Sequence, residues 1–182
     1  MKLPPLKESQ ICLGVALEVP EPLAKRIQQA RGCFLDEDAH LPPHITLVPP
    51  LALELADLPA VKVHLAGAVR PHQPFRVHLR STGTFRPVSP TVFLALTDGA
   101  AGCAALEADL RTGPLACQLD FEFHPHVTLA HQVEEATLNR AQTALAAFDE
   151  TFLASEVDLW QLLPDGAVTH LARYQLEEPG NG

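Results

Sequence analysis

No apolar run in this sequence approaches the roughly 18 consecutive residues that a membrane-spanning helix needs. The stretch Ile11 to Leu17 is apolar, but Pro4, Pro5 and Glu8 precede it and Glu18 closes it. It reads as a first strand and poorly as a secretion signal. Basic residues are scarce: 13 Lys and Arg face 22 Asp and Glu, a net charge of −9. That balance argues against wrapping long DNA or RNA, because sequence-independent affinity comes from neutralising phosphates with Lys and Arg. A small phosphate-bearing ligand, or an RNA terminus in a locally basic cleft, stays open. There is no CxxC pair. Cys12, Cys33, Cys103 and Cys117 are scattered in or beside apolar stretches, so small buried thiols in a reducing compartment are expected, not disulfides or a metal cluster. A cytoplasmic protein follows as the expectation.

The 182 residues are 47% hydrophobic and 19% charged, an ordinary globular composition for one domain. The informative feature is an internal repeat. Pro43-His44-Ile45-Thr46-Leu47 recurs 82 residues later as Pro125-His126-Val127-Thr128-Leu129. The surroundings recur with it. Ile11 to Leu17 and Val92 to Leu96 read as buried strands, and helices are expected after them over Glu21 to Arg31 and Gly102 to Arg111. Further helices are expected after the motifs. Ala52 to Val69 places Leu55, Leu58, Val61, Leu65 and Val69 at steps of three and four, and Glu134 to Phe148 repeats that pattern. Phe75 to Leu79 alternates as a half-buried strand. Phe152 to Leu162 and Val168 to Leu176 are expected to pair across the turn Pro164-Asp165-Gly166, and Glu178 to Gly182 to form a frayed tail. Each half thus reads β-α-β-α-β-β. The expected architecture is one α+β domain, 1–182, of two lobes at about 11–81 and 92–176, related by an approximate two-fold axis around a cleft.

Residues i and i+2 of a strand share a face. His44 therefore projects with Thr46, and His126 with Thr128, while Ile45, Leu47, Val127 and Leu129 turn the other way. Facing motif strands would bring two imidazoles and two hydroxyls into one volume. Phosphoester cleavage needs one proton removed and one delivered, which a neutral and a charged imidazole supply near neutral pH. Threonine hydroxyls can donate to the non-bridging oxygens as charge builds at phosphorus. One His-x-Thr triplet carries almost no information, but its recurrence in the same place of a repeated pattern does.

The chain resembles the two-histidine (2H) phosphoesterases, in particular the 2′-5′ RNA ligase/cyclic phosphodiesterase (LigT-like) branch, from Ile11 to Leu176. The resemblance rests on ICLGVALEVP, PPHITL, GTFRPVSPTVFLAL, HPHVTLAH and the closing ARYQL. It implies a bilobal fold and metal-independent hydrolysis of RNA 2′,3′-cyclic phosphates to 2′-phosphates, without cofactor, in some members with reversible 2′-5′ joining of RNA ends. It implies His44 and His126 as the catalytic pair and Thr46 and Thr128 as phosphate binders. RNA ends or cyclic nucleotides would be the substrates of a monomer with no membrane partner.

His124 and His131 stand where bacterial members often carry arginines, which makes them candidate auxiliary phosphate donors. Val48-Pro49-Pro50 replaces a longer aromatic segment and marks a divergent sub-branch. Phe85 and Arg86 lie where the family brings a loop near the cleft, which makes them candidates for stacking on a base or holding a phosphate; the alternative is a core Phe and a surface Arg. A zinc site at His124, His126 and His131 lacks a placed carboxylate or cysteine. His40, His64, His72 and His170 are expected at the surface or in the core, and Trp160 and Tyr174 in the core. Competing functions are a phosphodiesterase for 2′-5′ linkages or for a small cyclic nucleotide such as ADP-ribose 1″,2″-cyclic phosphate, and a nucleotide- or RNA-binding module without turnover.

Overall fold

Both halves open with a strand whose interior residues are almost wholly apolar. In the computed structural model, which describes residues 3–34, 41–164 and 166–177, β1 (Gln10–Glu18) is buried from Ile11 to Leu17. Helix α1 (Leu23–Arg31) follows and buries Leu23, Ala24, Ile27 and Arg31, a stripe repeating every four residues. Strand β2 (His44–Glu54) carries the first motif and runs well past it. Helix α2 (Leu58–Val69) therefore starts later than Ala52, with Pro59 in its first turn, where a missing N–H costs nothing. The extension of β2 stays paired with β1 from Gln10↔Glu54 to Leu13↔Leu51, then slips in register before Val15↔Val48. The slip spans Pro49 and Pro50, which have no N–H to give to a ladder.

Strand β3 (Phe75–Thr84) ends the first half, and β4 (Thr91–Asp98) begins the second. Helix α3 (Ala100–Leu110), motif strand β5 (His126–His131) and helix α4 (Glu135–Ala144) follow. Phe152 to Leu162 is two strands and not one: β6 (Asp149–Ala154) and β7 (Glu156–Leu162) are separated by Ser155. Strand β8 (Val168–Gln175) pairs with β7 as expected, although Asp165 of the connecting turn lies outside the described residues, as do His40 and the tail 178–182.

The eight strands form one antiparallel sheet in the order β6-β3-β4-β5-β2-β1-β7-β8. Outward from the β2/β5 seam the two sides read β2-β1-β7-β8 and β5-β4-β3-β6, which is the expected pseudo-two-fold. The expected allotment of strands to lobes needs correction. β3 belongs by sequence to the first half but pairs with β4 and β6, whereas β7 and β8 return to β1. The side built on β2 and β1 takes β7 and β8 from the second half, and the side built on β5 and β4 takes β3 from the first, so the sheet does not divide into 11–81 and 92–176.

One apolar core runs through both halves. Ile45, Leu47, Val127 and Leu129 pack in it with Ile27, Leu65, Leu106 and Leu138 from the four helices. Burying such a side chain is worth about 1.5–3 kcal/mol. A one-residue slip of β2 would expose Ile45 and Leu47 while burying His44 and Thr46, so the core enforces the orientation of the motif. Helix α1 also contacts β5 and α3 contacts β2, bridging the seam. Cys12 and Cys103 are buried as expected, but Cys117 is only half-buried and Cys33 is exposed; all four are free thiols. Among the described residues, no helix is long and apolar enough to cross a membrane.

Candidate active site

His44 and His126 are the first residues of their strands, β2 and β5, and line one cleft of about 650 Å³. Thr46 and Thr128 line it too, with Arg31, Leu41, Phe85, Val88, Phe121, His124 and His131. The strands meet at the pair Ile45↔Val127. Antiparallel pairing there sets His44 level with Thr128 and Thr46 level with His126.

The two histidines are held in the same way. Nδ1 of His44 lies 2.7 Å from the carbonyl oxygen of Pro42, and Nδ1 of His126 lies 2.7 Å from that of His124. A carbonyl only accepts, so each Nδ1 carries the proton, and in the neutral ring Nε2 keeps its lone pair. Each ring also has an aromatic wall. Trp160 meets His44 edge-on at 4.8 Å between centroids; Phe85 meets His126 at 4.9 Å and Phe93 at 5.1 Å. Phe93 packs against Gly83, where an added Cβ would fall 2.5 Å from the ring. Nε1 of Trp160 donates to Glu18 at 3.1 Å, so the expected core tryptophan also steadies the imidazole.

Burial pushes the His44 imidazole down from 6.5 to about 4, with the nearby charges of Arg31 and His126 acting in the same direction. Burial also lowers His126, helped by His124 and His131, against the opposing pull of the His124 carbonyl. Both rings therefore favour the neutral form near pH 7, whereas the acid–base scheme needs one of them charged. A bound anion favours the protonated ring.

The auxiliary residues divide. His131 lines the cleft, with Nδ1 2.8 Å from the Thr91 hydroxyl, which in turn meets the Ser89 hydroxyl at 2.8 Å. His124 sits at the rim, its ring 5.4 Å from Phe85. Phe85 lines the cleft while packing on Phe93 at 4.4 Å. Arg86 is not brought there. Its Nε donates to Thr84 at 3.0 Å and its Nη groups donate to Glu135, Asn139 and Gln142, which fastens the end of β3 to α4. Phe85 and Arg86 open the turn that follows β3, with the Val88 and Ser89 N–H groups donating to the Phe85 carbonyl, and the turn sends the two side chains to different places.

Of the remaining histidines, His72 pairs with Asp109 and His170 with buried Asp158, while His64 meets the Leu110 carbonyl. Among the described residues, no three of His, Cys, Asp and Glu converge as a metal ligand set would. Arg31 was not singled out from the sequence. The signal was there: Leu23, Ile27 and Arg31 fall four apart, a cation on the apolar stripe of a helix.

A family model for the 2′-5′ RNA ligase superfamily matches residues 19–166. The Halalkalibacterium halodurans protein named "Putative phosphoesterase BH1439" is 26% identical over 165 residues, covering 90% of this chain and 96% of its own. The crystal structure of E. coli LigT complexed with 3′-AMP superposes with a TM-score of 0.70 at 22% identity, over 93% of this chain and 99% of that one. The crystal structure of TT0787 of Thermus thermophilus gives 0.63 at 22% identity, over 91% and 98%. With the recurrent His-x-Thr strands and the seam that joins them, these likenesses identify the chain as a member of the 2′-5′ RNA ligase superfamily, with the bilobal two-histidine phosphoesterase fold.

Proposed function

We propose that this chain hydrolyses 2′,3′-cyclic phosphates at RNA ends or on single nucleotides, leaving a 2′-phosphate, with His44 and His126 as acid and base. The observation that carries this reading is the matched hold on the two imidazoles, each with Nδ1–H bound to a backbone carbonyl and Nε2 left for proton transfer in a shared cleft. Neutral Nε2 of one ring takes a proton from water as its oxygen attacks phosphorus. The phosphorus–O3′ bond breaks, and the other ring, protonated once the anion is bound, delivers its proton to O3′. Thr46 and Thr128 donate to the non-bridging oxygens as they gain charge. The same step with a ribose 5′-hydroxyl replacing water yields a 2′-5′ bond, which is the ligation reading.

The size of the cleft favours a terminal nucleotide over a long RNA tract, since roughly 300–1,000 Å³ is the range of small-molecule sites. Leu41, Phe85, Val88 and Phe121 offer the apolar wall that a base requires. The E. coli LigT structure with 3′-AMP is a neighbour in fold, and a nucleotide in this cleft agrees with that likeness. His124, His131 and Phe85 would then contact substrate. The test is incubation with cyclic-phosphate-ended oligonucleotides, cyclic mononucleotides and 2′-5′ dinucleotides, with products identified by mass and NMR. Conversion of 2′,3′-cyclic ends to 2′-phosphates is expected. Turnover of 2′-5′ linkages alone would redirect the assignment, and binding without turnover would reduce the protein to a nucleotide-binding module.

A further inference from the structure

Arg31 closes α1 and is 5% exposed, yet it lines the cleft beside His44. Its Nη1 donates to the Leu41 carbonyl at 2.8 Å and to Oε1 of Gln28 at 3.2 Å, while its buried Nε–H has no partner among the described residues. Among the described residues no carboxylate forms an ion pair with it. A buried, uncompensated guanidinium is costly, and burial accordingly lowers its pKa.

The repeat supplies an internal control. Arg111 caps α3 in the second half, as Arg31 ends α1 in the first. There Nε donates to Glu107, one turn earlier, and Nη1 donates to the Cys117 carbonyl at 2.8 Å. The position one turn before Arg31 is Ile27, fully buried. The same helix end thus carries two arginines: Arg111 is paired with a carboxylate, whereas Arg31, at the cleft, meets none among the described residues.

We propose that Arg31 is the anion anchor of this cleft, its guanidinium holding an ionised phosphoryl oxygen of the substrate on the His44 side. This rests on the reading of the cleft as a phosphate-ester site and narrows the substrate class to esters with an ionised non-bridging oxygen, excluding neutral triesters. It also couples binding to proton transfer. The Arg31 cation opposes protonation of His44, and an anion that neutralises Arg31 removes that opposition when substrate is present.

Inorganic phosphate is the probe, titrated into the full chain and followed by calorimetry and by the ¹⁵N-resolved Nε–H signal of Arg31. That signal should shift saturably. R31Q should weaken phosphate at least about tenfold, in line with the loss of a charge-assisted hydrogen bond, and R31K should weaken it less. R111Q should lower the melting temperature with phosphate affinity unchanged. An Arg31 Nε–H signal unmoved at saturating phosphate overturns the proposal, as does folded R31Q with wild-type affinity. If R31Q does not fold, the wild-type signal decides. Phosphate held by Arg31 without turnover of any cyclic ester would leave the anchor standing and sink the hydrolase reading; hydrolysis by R31Q at wild-type KM would do the reverse.

Discussion

Ile45 pairs with Val127 across the middle of the sheet, the register pair that joins the two motif strands. Both side chains are fully buried, so each pins its strand with the neighbouring His and Thr turned to the opposite, cleft-facing side. Core packing and site assembly are thus one event. The residues that hold the halves together also determine which groups meet.

Loss of either histidine should remove most of the chemistry. General acid–base catalysis by one group is typically worth roughly 10²–10⁴-fold. His44→Ala and His126→Ala should each lower kcat by at least about 10²-fold, and the double variant by less than the product of the two, because the pair works as a unit. Thr46→Ala and Thr128→Ala should cost about 10- to 10³-fold as lost donors to the developing charge. Steady-state kinetics on a cyclic nucleotide, with circular dichroism to check folding, measures this. Near-wild-type turnover in either folded histidine variant refutes the mechanism.

The depressed imidazoles predict a pH signature. His44 titrates at about 4 when folded against 6.5 ordinarily, so the native state favours the neutral ring. The associated stability is fully present above pH 6.5 and is lost as pH falls from there through about 4. Denaturant titrations at about pH 7, 5 and 4 should show wild type losing more stability than His44→Gln over that interval. The pH profile of kcat/KM, a property of the free enzyme, should have its limbs acid of those of kcat, because bound anion raises both rings. The limbs belong to the coupled pair and not to single residues. Coincident profiles would contradict the proposed link between binding and protonation.

Arg86 should behave as a fastener. Arg86→Ala removes hydrogen bonds to Thr84, Asn139 and Gln142 and the ion pair with Glu135. The ion pair is weak because the Glu135 side chain is 69% exposed; the other bonds bring the expected loss to about 1–3 kcal/mol. Thermal unfolding should register it while KM for a cyclic nucleotide changes little. A large KM effect with unchanged stability would return Arg86 to the binding site.

Activity should survive exhaustive chelation, since the proposed acid, base and anion binders are protein groups. Assays after dialysis against EDTA, with and without added Zn²⁺ or Mn²⁺, decide the point. Abolition by EDTA and restoration by either ion would require reassigning the histidines as ligands.

The paired motif, its period-2 alternation and the amphipathic helices around it are legible in the sequence, because these are local consequences of residue order. Ile45 and Leu47 had to be buried wherever β2 lay, so His44 and Thr46 had to face away. Pairing was decided only in three dimensions. Nothing local directs β3 to β6 or β7 to β1, since antiparallel strands of similar composition compete until the whole sheet selects one order. The break at Ser155 has no glycine or proline to announce it and exists because β6 and β7 leave for opposite ends of the sheet. The same holds at the site. Phe85 and Arg86 are adjacent in sequence, yet one lines the cleft and the other ties to α4. Arg31 and Arg111 end equivalent helices, yet only the second meets a carboxylate among the described residues. Which charges are spent within the fold and which are left for a ligand depends on neighbours brought together by tertiary packing.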